Sequence, residues 1–207
     1  MINKRLLSLV AAGILVLGLT SLAMAGIPDP NNSTAQSGAG CIDITPGGNG
    51  PTLANELLTI SVSVMDASPS PGLPIPGYPF QDIWWDDSGT GELSMCQGGS
   101  VADANTDGFG NTTISGAAAG GGWTLAGCRV YLAGVAVLGG RRTSKKRMDV
   151  NSPDINGDLI VNLVDLGAFS QDFNNPAYNF RSDFTCDGIE NLADVGRFAI
   201  HNSEVCP

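Results

Sequence analysis

The sequence predicts a mainly β protein with a small α module near its C-terminal end, and three observations lead there. Charged residues make up only 14 % of the 207 residues while the chain holds 28 Gly and 12 Pro, both of which weaken helix interiors. Short runs of Ser, Thr, Val and Ile separated by Gly and Pro turns read as six or seven strands of a β-sandwich. Helical spacing of apolar residues appears only near the C-terminal end, directly after two acidic loops.

Residues 1–25 begin with Lys4 and Arg5, continue with an apolar core over 6–22 and finish Ala23-Met24-Ala25. This is the layout of a secretory signal peptide, so the expected location is secreted, extracellular or cell-surface, with no membrane span after cleavage. Lys4 and Arg5 are two of the ten basic residues, against 20 acidic ones over the whole chain. That acidic balance excludes nucleic-acid binding through a general basic surface. Residues 26–40 are Pro-, Asn-, Ser- and Gly-rich and read as a flexible leader.

The five cysteines, Cys41, Cys96, Cys128, Cys186 and Cys206, all follow the signal. Export favours disulfides, the odd count leaves at least one thiol over, and the absence of a CxxC pair argues against zinc. Cys186 and Cys206, close together near the C-terminal end, are the expected pair; the partners of Cys41, Cys96 and Cys128 stay open.

Residues 41–140 are the expected β-sandwich domain. Over 57–67, Ile60, Val62 and Val64 alternate with Ser61, Ser63 and Met65, the period of a half-buried strand. Five prolines over 68–79 force an extended loop. Further strands are expected over 80–85, 92–96, 112–115 and 129–138. Residues 103–113 read DANTDGFGNTT, where Asp107-Gly108 favours a tight turn. The wording resembles the turn before a strand in bacterial Ig-like domains, and that resemblance implies an Ig-like β-sandwich. Asp103, Asn105, Asp107 and Gly108 also fall at the first, third, fifth and sixth places of a calcium loop, but the twelfth place is Ile114, which has no side-chain oxygen, so a plain turn is expected. Arg141, Arg142, Lys145, Lys146 and Arg147 then form a basic linker over 141–148.

The strongest signal is an internal repeat at a spacing of 29. Asp154, Asp158, Asn162, Leu163, Asp165, Gly167 and Phe169 fall on Asp183, Asp187, Asn191, Leu192, Asp194, Gly196 and Phe198, seven identities across sixteen positions. Oxygen-bearing residues occupy the first, third, fifth, ninth and twelfth places of each copy: Asp154, Asn156, Asp158, Asn162 and Asp165, then Asp183, Thr185, Asp187, Asn191 and Asp194. This is the ligand spacing of an EF-hand-type calcium loop, because Ca²⁺ takes roughly six to eight hard oxygens at about 2.4 Å. The seventh place of such a loop supplies a backbone carbonyl, here from Ile160 and Ile189, with their side chains expected in the core. After each loop a helical stripe is expected to pack: Leu163, Leu166 and Phe169, then Leu192, Val195 and Phe198. Leu159 stands at the sixth place of the first loop, where glycine is usual.

Residues 149–207 thereby resemble a dockerin domain, a duplicated calcium-binding loop-helix module that binds cohesin domains. The resemblance implies two Ca²⁺ sites on the loop residues just named, a cohesin-type protein partner and, by association, an extracellular polysaccharide-degrading assembly. In dockerins the tenth and eleventh loop places help choose the partner. Here these are Leu163-Val164 and Leu192-Ala193, so the resemblance implies a more apolar recognition surface.

Other chemistry is weakly signalled. The sole histidine, His201, lies near the chain end with no evident nucleophile beside it in sequence. Glu56, Asp66, Asp82, Asp86, Asp87 and Glu92 supply carboxylates but no recognisable pair. The expected protein is non-catalytic. Trp84 and Trp85 point to opposite faces of a strand, so one of them offers a polysaccharide platform in an alternative reading as a carbohydrate-binding module. A further alternative is a structural protein whose calcium module packs on its own β-domain.

Overall fold

The computed structural model describes residues 26–38, 40–69, 71–87, 92–125, 127–137 and 148–207; the signal segment and the basic run 141–147 lie outside them. Ten short strands precede two helices: β1 (Thr34–Gln36), β2 (Gly40–Asp43), β3 (Ile60–Ser63), β4 (Ile83–Asp86), β5 (Leu93–Met95), β6 (Asn111–Ile114), β7 (Gly120–Gly122), β8 (Arg129–Leu132), β9 (Val135–Ala136), β10 (Met148–Asn151), α1 (Leu163–Phe173) and α2 (Leu192–His201). The protein is mainly β with a small helical part. The strands form several small sheets: β1-β3-β6, β4-β8-β9, β5-β7 and the pair β10-β2.

Alternation explains the long-range pairs. In β3 Ile60 and Val62 are buried, and in β4 Ile83 and Trp85 are fully buried, opposite Leu132 and Val130 of β8. Their outward neighbours, Trp84 and Tyr131, stack across the strands at 5.7 Å. The β8-β9 hairpin closes on Ala133 and Gly134, both at positive φ, as a two-residue turn of right-handed strands requires. Strand β7 is three glycines with no side-chain pattern. A Cβ on Gly120 would stand 2.6 Å from the Ser94 carbonyl and one on Gly122 1.8 Å from that of Glu92. Only glycine lets β5 and β7 approach this closely.

Two expectations are corrected here. The leader carries β1: Ala35 is buried, Asp29 N–H donates to the Met65 carbonyl, and Asn32 donates to the carbonyls of Asp66 and Ser68. Its polar residues are hydrogen-bond partners of the β3 region, so the segment folds with little apolar content. The expected Cys186–Cys206 bridge is replaced by Cys41–Cys186 and Cys96–Cys206, leaving Cys128 buried and free. Each bridge ties the helical part to the β part, because Cys186 lies in the second loop against β2 and the tail after α2 returns to β5. The Asp103 and Asp107 carboxylates serve the turn and strand: Asp103 accepts from Thr113 and Ser115, and Asp107 from the N–H groups of Phe109 and Asn111.

The two parts share further polar contacts. Asp43 of β2 is buried with Arg197 Nε of α2 at 3.2 Å, although neither carboxylate oxygen gains an aligned hydrogen bond. Burial, opposed by Arg197 and reinforced by Asp194 and Glu204, raises the Asp43 pKa well above the ordinary carboxylate range. Glu204 accepts from Gly47 N–H at 3.2 Å and Asn49 Nδ2 at 3.3 Å, and meets His201 Nδ1 at 2.9 Å. Burial acts to raise the Glu204 pKa, but bonds from His201, Thr45 and Asn49 outweigh it and hold the carboxyl below its usual range.

Two outcomes follow from these contacts. Non-reducing peptide mapping is expected to return Cys41–Cys186 and Cys96–Cys206, and the double variant C41S/C186S to lose about 2–5 kcal/mol in urea unfolding, since the bridge closes a long loop in the unfolded chain. Because the folded pKa of Glu204 lies below the unfolded one, its contribution is complete above the ordinary carboxylate range and disappears as pH falls through the folded value. Urea midpoints measured from about pH 6 down to about pH 2.5 should therefore fall less steeply for E204Q than for the native chain.

Candidate metal centre

Each loop begins on a buried aspartate that gathers backbone donors. Asp154 Oδ1 accepts from Gly157 N–H at 2.9 Å and Asp158 N–H at 3.2 Å, and Oδ2 from Leu159 N–H at 2.8 Å. In the second loop Asp183 accepts from Asp187 N–H at 3.2 Å and Gly188 N–H at 2.8 Å. The twelfth place closes each loop. Asp165 Oδ1 accepts from Asn156 N–H at 3.1 Å and Asp194 Oδ1 from Thr185 N–H at 3.0 Å.

The same aspartates cap the helices. Asn162 and Asn191 are the N-caps of α1 and α2, and each forms a reciprocal capping box with Asp165 or Asp194 three residues on. Such caps are worth about 1 kcal/mol each. Loop closure and helix start are therefore one structure, which explains why the acidic pattern and the apolar pattern repeat together.

Backbone angles repeat too. Positive φ occurs at the fourth and sixth places of both loops, at Gly157 and Leu159 in the first and at Cys186 and Gly188 in the second. Leu159, with φ 69°, adopts the turn that Gly188 makes with φ 84°. The leucine does not break the turn; it holds a left-handed conformation that costs an L-residue roughly 1–2 kcal/mol.

The first loop brings Asp154, Asp158 and Asp165 together, with one carboxylate oxygen from each within 4.8 Å of the others. That is about twice the 2.4 Å bond of oxygen to calcium, so the three can share one divalent cation. Among the described residues this is the acidic group so gathered. Burial pushes the Asp154 carboxyl up to about 6, with the neighbouring Asp165 and Asp158 charges adding and the Leu159 and Gly157 N–H groups opposing. A cation between the three removes that like-charge penalty. Asn156 and Asn162 stand at the rim, where Asn156 Nδ2 donates to Asp158 Oδ2 at 3.1 Å. In the second loop the backbone contacts to the Asp183 and Asp194 carboxylates repeat except at the fourth place, where the Cys186 N–H donates to the Asp183 carbonyl, and the Tyr178 hydroxyl donates to Asp183 Oδ2 at 2.8 Å. Burial, then this bond to Asp183, raises the Tyr178 phenol pKa.

The first loop is also fitted to the β part. Gly122 N–H donates to the Asp154 carbonyl, and a Cβ on Gly121 would stand 1.7 Å from Asp154 Oδ2.

The side chains at the seventh place differ from expectation. Ile160 and Ile189 point outward, and their carbonyls accept from Asn162 Nδ2 at 3.1 Å and Asn191 Nδ2 at 3.2 Å. The core is built instead from the second place, Ile155 and Phe184, together with Val161, Phe169 and Phe198. Phe169 lies 5.5 Å from Phe184 and 5.9 Å from Phe198. Of each expected stripe only the last member is buried. Leu163 is 79 % exposed and Leu192 78 %, while Val164, Leu166, Ala193 and Val195 are exposed as well. The repeat itself carried the missed signal, since Ile155 aligns with Phe184.

No protein-family model, curated protein or solved structure matches the chain. Among the described residues no helix is long and apolar enough to cross a membrane, and the two disulfides fit an extracellular protein.

Replacing Leu159 by glycine removes a left-handed leucine at the cost of added freedom in the unfolded chain. L159G is expected to raise stability by about 0.5–1 kcal/mol in urea unfolding, where glycine at an ordinary loop position lowers it.

Proposed function

We propose that the protein is an exported, non-catalytic docking protein: a β part displayed through a dockerin-like C-terminal module that binds Ca²⁺ in two loops and a cohesin-type domain through its helices. The gathered carboxylates of the first loop support the cation, and the matching backbone of the second supports a second ion. Bound calcium would fix the loops that start both helices. By the same resemblance the assembly is one that degrades extracellular polysaccharide, and the β part is read as Ig-like.

The observation that carries the docking reading is repeated on both helices. Leu163 and Val164 flank Gly167 on one exposed face, and Leu192 and Ala193 flank Gly196 on the other. Apart from chain neighbours and the helix's own backbone, neither glycine has an atom within 4 Å of where a Cβ would stand. Glycine inside a helix costs about 1 kcal/mol relative to alanine, and here nothing in the fold requires it. Exposed apolar side chains one turn before bare helix backbone suit the close approach of another protein surface.

A second reading has its own support. Two disulfides and the β2-β10 pair bind the helical part to the β part, as a calcium module with a purely structural role would need. The two readings part on the helix glycines. G167A/G196A is expected to raise stability by about 1–2 kcal/mol in total, to leave calcium binding by calorimetry unchanged, and to weaken capture of a cohesin-type domain about tenfold or more, an effect worth about 1.4 kcal/mol. Chelator should abolish the same capture. Unchanged capture by the variant, or capture indifferent to chelator, would sink the docking reading.

A further inference from the structure

A cleft of about 600 Å³ opens between the β part and the segment that leads into the second loop, lined by Trp123, Leu125, Tyr178, Asn179, Phe180 and Arg181. We infer that this cleft is a binding site for a neutral carbohydrate, one or two sugar rings long, separate from the helix faces and bordering the second loop, where the Tyr178 hydroxyl donates to Asp183.

The cleft is preformed, because both walls hang on β10. On one side Thr124 and Val150 exchange hydrogen bonds at 2.7 and 2.9 Å, which fixes Trp123 and Leu125 beside the strand. On the other side Asn151 Nδ2 donates to the carbonyls of Phe180 and Asp183. The Cys41–Cys186 bridge holds the second loop against β2, the partner strand of β10. A site whose walls are already ordered loses little entropy on binding, and its size falls in the range of small-molecule pockets.

Of its rings Tyr178 is exposed while Trp123 and Phe180 are half-buried. Among the described residues no ring–ring contact joins Trp123, Tyr178 and Phe180, whereas Trp84 lies against Tyr131 at 5.7 Å with the planes 12° apart. Of the tryptophan pair singled out in the sequence, Trp85 is buried in the core and Trp84 has one face against the Tyr131 ring. Tyr178 and Leu125 are both more than half exposed, at 53 % and 56 %.

The charge of the cleft selects a neutral ligand. Arg181 is its one cation among the lining residues, and it is already paired through Nε at 2.6 Å and Nη2 at 2.9 Å with the buried Asp172. Glu190 adds negative charge nearby, so among the described lining residues an anion finds no uncompensated cation. What remains is aromatic surface, the planar edges of the Asn179 amide and the Arg181 guanidinium, and the Tyr178 oxygen as an acceptor, its hydrogen being donated to Asp183. A pyranose ring presents C–H faces to aromatic surface and hydroxyls to N–H and C=O edges, which matches this lining.

The test uses the mature chain loaded with calcium and a panel of soluble neutral oligosaccharides of about four to six units, glucans, xylans and mannans among them, with binding read by calorimetry. At least one is expected to bind, and W123A and Y178A each to weaken it about tenfold, while W84A changes it by less than about twofold. Near-UV circular dichroism and the urea midpoint report whether each variant keeps its fold, and Y178F, which keeps the ring, should retain most of the binding. The inference is overturned if no member of the panel binds, if binding survives W123A and Y178A in folded protein, if W84A removes it equally, or if the cleft takes a proline-rich peptide or an acidic sugar in preference. Capture of a protein partner by the helix faces is measured separately, so failure here leaves the docking reading untouched.

Discussion

A two-stranded parallel pair is a weak element by itself, since its hydrogen bonds are slanted and a pair of strands buries little. Strands β2 and β10 nevertheless position the entire C-terminal part. They hold because Ile42, Met148 and Val150 lie in the main core, because Ile44 N–H extends the ladder to the Asn151 carbonyl, and because a disulfide leaves the end of β2 for the second loop. From the same pair come the fixed origin of the first loop, the Asn151 bonds to the second, and both walls of the aromatic cleft. Without that pairing the two parts would be joined only by the disulfides and by the contacts of Asp43, Asp154 and Glu204, and the walls of the cleft would lose their common support.

Within the helical part, duplication is stricter in backbone than in side chain. Both loops turn through positive φ at the fourth and sixth places, yet glycine fills the fourth in one and the sixth in the other. What stays constant is the chemistry that the turn needs: a buried aspartate to collect N–H groups, an asparagine cap and an aspartate three residues later. The two copies then share one core, in which Ile155 and Phe184 meet Phe169 and Phe198. So small an apolar cluster is marginal for independent stability, and the two disulfides and the Glu204 contacts supplement it.

The local features were legible in sequence and the distant ones were not. Alternation marked β3, β4 and β8, because each buries every second residue. The loop places were legible because capping and acceptor geometry are set within a dozen residues. By contrast, β7 is all glycine, and its position is dictated by how closely β5 and the first loop approach it. Strand β1 buries a single alanine, and β10 is a strand because β2 lies on one side of it and Thr124 on the other. The cysteine pairing depends on which ends of the folded chain meet, which spacing does not encode. The apolar stripes misled for a geometric reason. A spacing of three falls short of a 3.6-residue turn by about 60° per step, so Leu163, Leu166 and Phe169 wind around α1 and only the phenylalanine reaches the core.

That winding has a physical consequence for recognition. Residues carried off the core by the drift of the stripe end up on the outer face, beside a glycine that the fold does not use, and the same displacement occurs on the second helix because the repeat copies it. Two apolar faces held on helices that are capped, bridged and anchored to a β layer lose little freedom when covered. Rigid presentation of this kind is costly for a module whose only task is to fold, since exposed leucines invite non-specific association. It is economical for one that must be gripped. The cleft beside β10 is rigid for the same reason, so one strand pairing supplies a fixed frame both for the exposed apolar residues of the helices and for an aromatic cleft.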